Sequence, residues 1–318
     1  MKTITVVTPT YNEEHNVSEV YRQTKEVFAA LPSYRYEHLF IDNASTDGTV
    51  GVLKEIARTD PNVTIIVNAR NFGHIRSPYY GMLQSTGDAT ILLVADLQDP
   101  PALIRDFVQK WEEGWKLVLG VKSKSEESAV LFLIRRFYYN LVTKLSGAEL
   151  VKNFTGFGLY DRSVMDILRT INDPYPYLRG LIAEIGFERA LIEYTQPRRR
   201  KGITKNNFYT LYDMAMLGIT SHSKVPLRIA TMLGCALSCL GILVAFGYLV
   251  AKLVFWDIFG AGIAPLVIGG YTFLSLQLFC IGLLGEYIAA IHTQVLRRPL
   301  VVEKERIHFP AHASSHPS

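Results

Sequence analysis

Cysteine is scarce in this chain, and its placement excludes more than its number. Cys235, Cys239 and Cys280 all lie inside two long uncharged runs, so neither a disulfide framework nor a cysteine metal cluster is expected. Asp, Glu, Lys and Arg are missing from residues 229–251 and again from 263–285. Each run exceeds the roughly 20 apolar residues that cross a bilayer as a helix, which argues against a wholly soluble chain. A cleavable signal peptide is also missing from the start, which opens directly on the strand-like Thr3-Ile4-Thr5-Val6-Val7-Thr8. A strong charge imbalance is absent too: the net charge of +4 over 318 residues points to no polyanionic partner, and no nucleic acid is expected. No internal repeat is evident, and the stretch from His308 to Ser318 has no apolar periodicity and reads as disordered.

Charge gathers at the borders of the uncharged runs. Lys224 and Arg228 precede the first, Arg297 and Arg298 follow the second, and the loop from Trp256 to Gly262 carries only Asp257. Positive-inside bias then puts both termini in the cytoplasm, with Lys252 as a minor counter-signal. Gly234, Gly241, Gly269 and Gly270 permit close helix contact and a homo-oligomer through the spans.

The remainder alternates short apolar runs with polar clusters. Thr3 to Thr8 forms a strand, broken by Pro9-Thr10-Tyr11-Asn12-Glu13-Glu14 ahead of a helix through about Ala30. His38 to Ile41 gives a second strand ending at Asp42, and Asn43 to Thr49 supplies turn and capping chemistry for the next helix. Val63 to Val67 gives a third, followed by Asn68-Ala69-Arg70-Asn71-Phe72-Gly73-His74 and a helix over Ser77 to Ser85. A fourth run, Ala89 to Ala95, stops at Asp96, Gln98 and Asp99 before Pro100 and Pro101 begin a helix. Strand, polar loop and helix in repetition predict a mostly parallel α/β sheet with right-handed crossovers. Each strand then delivers its polar cluster to the edge where such sheets bind ligands. Asp96 and Gln98 offer a carboxylate and an amide oxygen to one hard cation, whereas Asp99 suits a helix N-cap.

These clusters resemble those of the family 2 glycosyltransferases, in the branch similar to dolichol-phosphate mannose synthase and bacterial polyprenyl-phosphate glycosyltransferases. The matching residues are Pro9, Tyr11, Asn12 and Glu13; Asp42, Ser45, Asp47 and Thr49; Arg70 to Gly73; and Ala95 to Pro101. The match continues through Arg199, Gly202, Thr204 and Lys205 into Gly285-Glu286-Tyr287. The resemblance implies a Rossmann-like GT-A catalytic domain over residues 1–206 and an interfacial amphipathic helix over 207–226. Two transmembrane helices over 227–298 and a cytoplasmic tail over 299–318 would complete the chain.

By that resemblance Pro9, Tyr11, Glu13, Asp42 and Arg70 hold the donor nucleotide, and Asp96 and Gln98 hold Mg2+ or Mn2+ bridging its diphosphate. Arg199 and Lys205, in a segment dense in cations, suit phosphate. After a strand over Leu117 to Val121, Lys122 and Arg136 would receive the phosphate of a polyprenyl acceptor, while Lys124 and Arg135 are as well explained by a surface helix. The implied activity is inverting transfer of one sugar from a nucleotide-sugar, UDP-linked, to undecaprenyl phosphate at the inner membrane. A flippase and an outward-facing transferase would act downstream.

Three departures from the family pattern stand out. Val94 replaces the first carboxylate of Asp-Ala-Asp, Asn43-Ala44 replaces the last two residues of Asp-Asp-Gly, and Gly156 and Gly158 replace the Asp and Arg of Gly-Asp-Phe-Arg-Leu. The first Asp of that last motif is a proposed catalytic base in relatives. Asp161 could substitute for it, although capping a helix over Arg162 to Thr170 suits it better. Two rival functions therefore stand beside the first: transfer to a sugar hydroxyl, and nucleotide-sugar binding without chemistry.

Overall fold

The computed structural model describes residues 1–124, 151, 153–196, 225–254, 263–296 and 298–309. They divide into two compact units, the first holding the described residues up to 196 and from 296 onward, the second those from 225 to 295.

The first unit is a three-layer α/β structure. Its strands are β1 (Lys2–Thr10), β2 (Tyr34–Asp42), β3 (Val63–Asn68), β4 (Ala89–Leu92), β5 (Leu117–Lys124), β6 (Phe154–Asp161), β7 (Arg189–Thr195) and β8 (Glu303–Ile307). They form one sheet in the order β7-β5-β6-β4-β1-β2-β3-β8. Strands β1 to β4 run parallel to their neighbours among themselves, as the strand–helix alternation requires, while β6 enters antiparallel between β4 and β5. The sheet is therefore mixed, with a parallel half that carries the polar loops.

Helices α1 (Val17–Ala29), α2 (Thr49–Thr59), α3 (Gly73–Leu83), α4 (Ile104–Glu112), α5 (Arg162–Thr170) and α6 (Leu178–Ile185) cover both faces. Alternation along β1 decides which side each residue serves: Ile4 and Val6 pack with Val20 and Phe28 of α1 and Phe107 and Trp111 of α4. Val7 faces the other way, with Tyr79 and Met82 of α3 and Val164 and Leu168 of α5. Fully burying side chains of this size is worth about 1.5–3 kcal/mol each, which is why these apolar runs could be read as strands at all.

The second unit consists, among the described residues, of α7 (Val225–Val254) and α8 (Ile263–Val295). The sequence predicts two spans. Among the described residues one stretch, Thr272–Val295 of α8, is long and apolar enough to cross a membrane by length and composition, and α7 contributes the shorter apolar Ile229–Gly241. Large apolar side chains are exposed on both helices, among them Met232, Leu243 and Phe246 on α7 and Leu266, Leu278 and Phe279 on α8.

The C-terminal segment departs from expectation. Rather than a tail, residues 303–307 form β8, antiparallel to β3 at the sheet edge. Ala69 N–H donates to the Val302 carbonyl (2.9 Å), Val301 is buried, and Leu300 and Phe309 pack against the α3 side of the core. Tyr80 donates to Glu303 (2.7 Å), Arg306 to Gln84 (2.7 Å), and Lys54 pairs with Glu305 (2.8 Å). Glu-Lys-Glu-Arg-Ile has no apolar alternation because an edge strand protects itself with charge.

His38 sits in β2 between Val6 of β1 and Val63 of β3, fully buried. Its Nε2 lies 2.9 Å from Thr8 Oγ1, its ring stacks on Phe40 at 4.0 Å, and Nδ1 has no partner among the described residues. Burial pulls its pKa down from 6.5 to about 3. Between these values the unfolded chain binds more protons than the folded one, so stability is lost as pH falls below about 6.5, by up to about 1.4 kcal/mol per pH unit. Thermal unfolding should show a melting temperature that drops from pH 6.5 to pH 5, with a shallower drop in His38→Phe; equal slopes would contradict this.

Candidate active site

The polar loops after β1, β2, β3 and β4 meet at the carboxyl edge of the parallel strands. Three of them contain a non-glycine residue in the left-handed region: Asn12 (φ 56°) after β1, Ala44 (φ 59°) after β2 and Leu97 (φ 59°) after β4. Each costs on the order of 1–3 kcal/mol, and such strain persists where surrounding bonds over-determine the backbone. Those bonds are present. Asn12 N–H donates to Ser45 Oγ (2.9 Å), Asn12 Oδ1 accepts from Thr46 N (2.8 Å), and Glu13 N–H donates to Thr49 Oγ1 (2.9 Å). The first two loops are thereby one body.

Of the sequence-predicted donor contacts, Pro9 is the half-buried penultimate residue of β1 and Tyr11 stands half-exposed in the loop. Glu13 Oε2 accepts from Asn16 Nδ2 (2.6 Å). Asp42 is wholly buried, its oxygens accepting from Ser45 N (2.9 Å), Ser45 Oγ (2.5 Å) and Thr10 Oγ1 (3.2 Å). Burial pushes its carboxyl above the ordinary value against these bonds. Arg70 is exposed, donating to the Asn71 carbonyl (3.0 Å) with its guanidinium 4.1 Å from the Phe72 ring centre.

Asn43, which stood out only as a departure, is the hinge between the second and third loops. Its Nδ2 donates to Asn71 Oδ1 (2.9 Å) and the Gly73 carbonyl (3.1 Å), and its Oδ1 accepts from Phe72 N (2.8 Å) and Asn68 Nδ2 (3.1 Å). Only an amide can donate and accept on both sides in this way. Ala44 stands in the left-handed turn where the family places glycine, which accounts for the glycine.

Strand β4 ends at Leu92, earlier than the apolar run, though Leu93 N–H still bonds the Val7 carbonyl (2.9 Å) and Ala95 is buried. The chain then turns at Leu97, with Asp96 Oδ1 accepting from Gln98 N (3.1 Å) and both side chains partly exposed. Among the described residues no three His, Cys, Asp or Glu side chains are grouped to hold a metal by themselves. A carboxylate with an amide oxygen fits Mg2+ or Mn2+ completed by phosphate oxygens and water.

Asp99 is not the helix N-cap expected of it: Pro100 precedes the 3-10 turn Pro101–Leu103, and no side chain caps it. Buried Asp99 instead accepts from the Tyr194 hydroxyl of β7, because the left-handed turn at Leu97 carries it inward. Burial raises its pKa, while Tyr194 and the charge of Lys122 lower it and Asp96 raises it further. Lys122 of β5 is thus within electrostatic reach of the same loop. Sequence offers no signal for the Asp99–Tyr194 pair, whose members lie 95 residues apart. Arg136, Arg199 and Lys205 fall outside the described residues.

Strand β6 explains the missing base. Gly156 has φ +108°, where an L side chain is strained, and its carbonyl accepts from Tyr160 OH (2.6 Å). A Cβ at Gly158 would stand 2.5 Å from the Val118 carbonyl oxygen of β5, so the backbone approach admits only glycine. Asp161 caps α5, accepting from Ser163 N (3.0 Å), Trp111 Nε1 (2.8 Å) and Lys116 Nζ (3.2 Å). Burial opposes its ionisation, but these bonds together hold its carboxyl below the ordinary value, which suits a cap rather than a base.

A family profile described as Glycosyl transferase family 2 matches residues 5–168. The chain is 33% identical over 317 residues, 97% of its length and 98% of the other, to the uncharacterized glycosyltransferase YkcC of Bacillus subtilis (strain 168). It is 31% identical over 303 residues, 95% and 97% of the two lengths, to the SfII prophage-derived bactoprenol glucosyl transferase of Shigella flexneri. Among solved structures, glucosyl-3-phosphoglycerate synthase from Mycobacterium tuberculosis in complex with phosphoglyceric acid superposes with a TM-score of 0.50 at 19% identity, covering 69% of this chain and 78% of that one. That likeness supports the fold.

Restoring the family's carboxylate at position 43 should weaken this chain. In Asn43→Asp an acceptor replaces the donor facing Asn71 Oδ1 and the Gly73 carbonyl, at a cost of about 1–3 kcal/mol per unpaired group. A lowered melting temperature in neutral detergent is the expected outcome, and an unchanged one would show that the amide bridge is dispensable.

Proposed function

The chain belongs to glycosyl transferase family 2, and on that premise we propose that it transfers one sugar, with inversion, from a UDP-sugar to the phosphate of a polyprenyl lipid. The observation that carries the acceptor assignment is the backbone of β6, where the positive φ at Gly156 strains any side chain and the Val118 carbonyl excludes one at Gly158, so the family's base has no counterpart at these two positions. An acceptor hydroxyl needs deprotonation, and base catalysis contributes on the order of 10² to 10⁴ in rate. A phosphate monoester has its second pKa near 6, so at neutral pH it arrives ionised and needs alignment only. The name of the Shigella relative, a bactoprenol glucosyl transferase, agrees with a lipid of this kind.

In the reaction a lipid phosphate oxygen attacks the anomeric carbon opposite the donor diphosphate. The bond from that carbon to the diphosphate breaks, its electron pair leaving with the nucleoside diphosphate. Pro9, Tyr11, Glu13, Asp42 and Arg70 hold the nucleotide end, Asp42 by keeping the second loop in shape. Asp96 and Gln98 would hold a divalent cation at the diphosphate end, and that cation when bound would supply positive charge to the leaving group. Lys122, together with Arg136, Arg199 and Lys205, binds the acceptor phosphate and keeps it in line.

We place the enzyme in the inner membrane with α7 and α8 as two spans and both termini cytoplasmic, since Lys224, Arg228, Arg297 and Arg298 flank the pair. The lipid-linked sugar then forms on the cytoplasmic side, upstream of a flippase and a second transferase. Glycines at 234, 241, 269 and 270 allow the spans to pair in a homo-oligomer.

Purified protein given Mg2+ or Mn2+, undecaprenyl phosphate and radiolabelled UDP- and GDP-sugars should move label into the organic phase with a UDP-sugar. Asp96→Ala should cost on the order of 10² to 10³ in rate. Label that enters only a water-soluble glycan, or full turnover in Asp96→Ala, would overturn the assignment.

A further inference from the structure

Arginines gather around Phe72 at the end of β3 without a counter-charge. Arg70 Cζ lies 4.1 Å and Arg76 Cζ 5.5 Å from the ring centre, and Arg76 Nη2 donates to the Pro299 carbonyl, which places Arg298 beside it. Elsewhere in this unit Arg22, Arg58, Arg169 and Arg306 each pair with a carboxylate. Among the described residues Arg70, Arg76 and Arg298 have no such partner, and Arg76 Nε is buried with no hydrogen bond. The first turn of α3, which begins here, contains no acidic residue, so the positive end of the helix adds to the same field. Burial and then the charge of Arg70 lower the pKa of Arg76, Tyr175 opposes them, and Arg298 lowers it further.

The buried Nε of Arg76, in a half-buried guanidinium, lacks the partner that would offset its desolvation. A phosphate meets the need, since guanidinium groups bind it through paired charge-assisted bonds. The donor diphosphate is not that phosphate: β3 and β4 are separated by β1 and β2, so the cluster stands roughly 14 Å across the sheet from the Asp96 loop. Arg298, exposed, follows Val295, the last residue of α8, by three positions. A cation there lies where a spanning helix would leave the headgroup layer.

We propose that Arg76 and Arg298, beside the start of α3, form a second anion site that binds the phosphate of an anionic phospholipid headgroup. The lipid source rests on the membrane reading above; the phosphate chemistry does not. Arg76 is anchored through Pro299 to the segment that continues into β8, so an occupied site also fastens the chain leaving α8 to the third polar loop.

The test uses the full chain in neutral-detergent micelles. Melting temperature is followed on adding phosphatidylglycerol or phosphatidylcholine at equal mole fraction, and separately inorganic phosphate at constant ionic strength. Phosphatidylglycerol should raise it by several degrees and phosphatidylcholine should not. The rise should vanish in the Arg76→Gln/Arg298→Gln double variant and return in part in Arg76→Lys/Arg298→Lys. If the double glutamine variant does not fold, Arg298→Gln alone, at an exposed position, must lose at least half of the rise. An equal, arginine-dependent rise with inorganic phosphate would overturn the lipid source and keep the phosphate site. No rise, or the same rise in the glutamine variants, would overturn the site. Transfer to polyprenyl phosphate in the same micelles separates the two readings, since its absence beside a preserved rise would sink the proposed reaction alone.

Discussion

The site depends on one short strand. β4 has four residues, held in parallel register by β1 on one side and antiparallel by β6 on the other. Because it stops at Leu92 while Leu93 and Ala95 are still buried, the polar residues emerge at the sheet edge rather than in the core. The left-handed turn at Leu97 then separates their fates: Asp96 and Gln98 remain partly exposed, and Asp99 is carried inward to Tyr194. Lengthening β4 by a residue would exchange the two faces.

The strands beside β6 constrain it in turn. Gly158 pairs with Leu92 of β4 on one side and Leu119 of β5 on the other, and a Cβ there would stand 2.5 Å from the Val118 carbonyl oxygen of β5. A side chain there is excluded by sterics, and one at Gly156 by its φ. The strained turns at Asn12 and Ala44 are held by bonds between their two loops, and the turn at Leu97 by the bond from Gln98 N to Asp96, so this edge of the sheet is tied together without any ligand. Rigidity, and the exclusion of a side-chain base at positions 156 and 158, favour a reaction that aligns two reactive groups over one that must create a nucleophile.

Much of this was legible in the sequence because it is local. The apolar runs of β1 to β3, the turn chemistry after each, and the Asp161 cap that starts α5 at Arg162 depend on residues within a few positions of one another. What escaped is long-range and polar. Tyr194 meeting Asp99 leaves no periodic trace, and neither does Arg76 meeting Pro299, 223 residues away. Strand β8 was hidden because edge strands carry charge, and Asn43 was seen as a lost carboxylate when its amide is what joins two loops. Of the candidate site, the loops after β1, β2, β3 and β4 could be named in advance, whereas the glycines of β6 acquire their meaning only from the strand beside them.

The central claim is that the nucleophile is ionised by its own chemistry and not by a protein base. The most direct test is the pH dependence of kcat/KM for the lipid phosphate, repeated with the phosphonate analogue, whose second pKa is higher. The account predicts a rate that climbs tenfold per pH unit below the acceptor's second pKa, near 6 for the phosphate, levels above it, and moves upward with the phosphonate. An ascending limb at the same pH for both acceptors would assign it to a protein group and contradict the account.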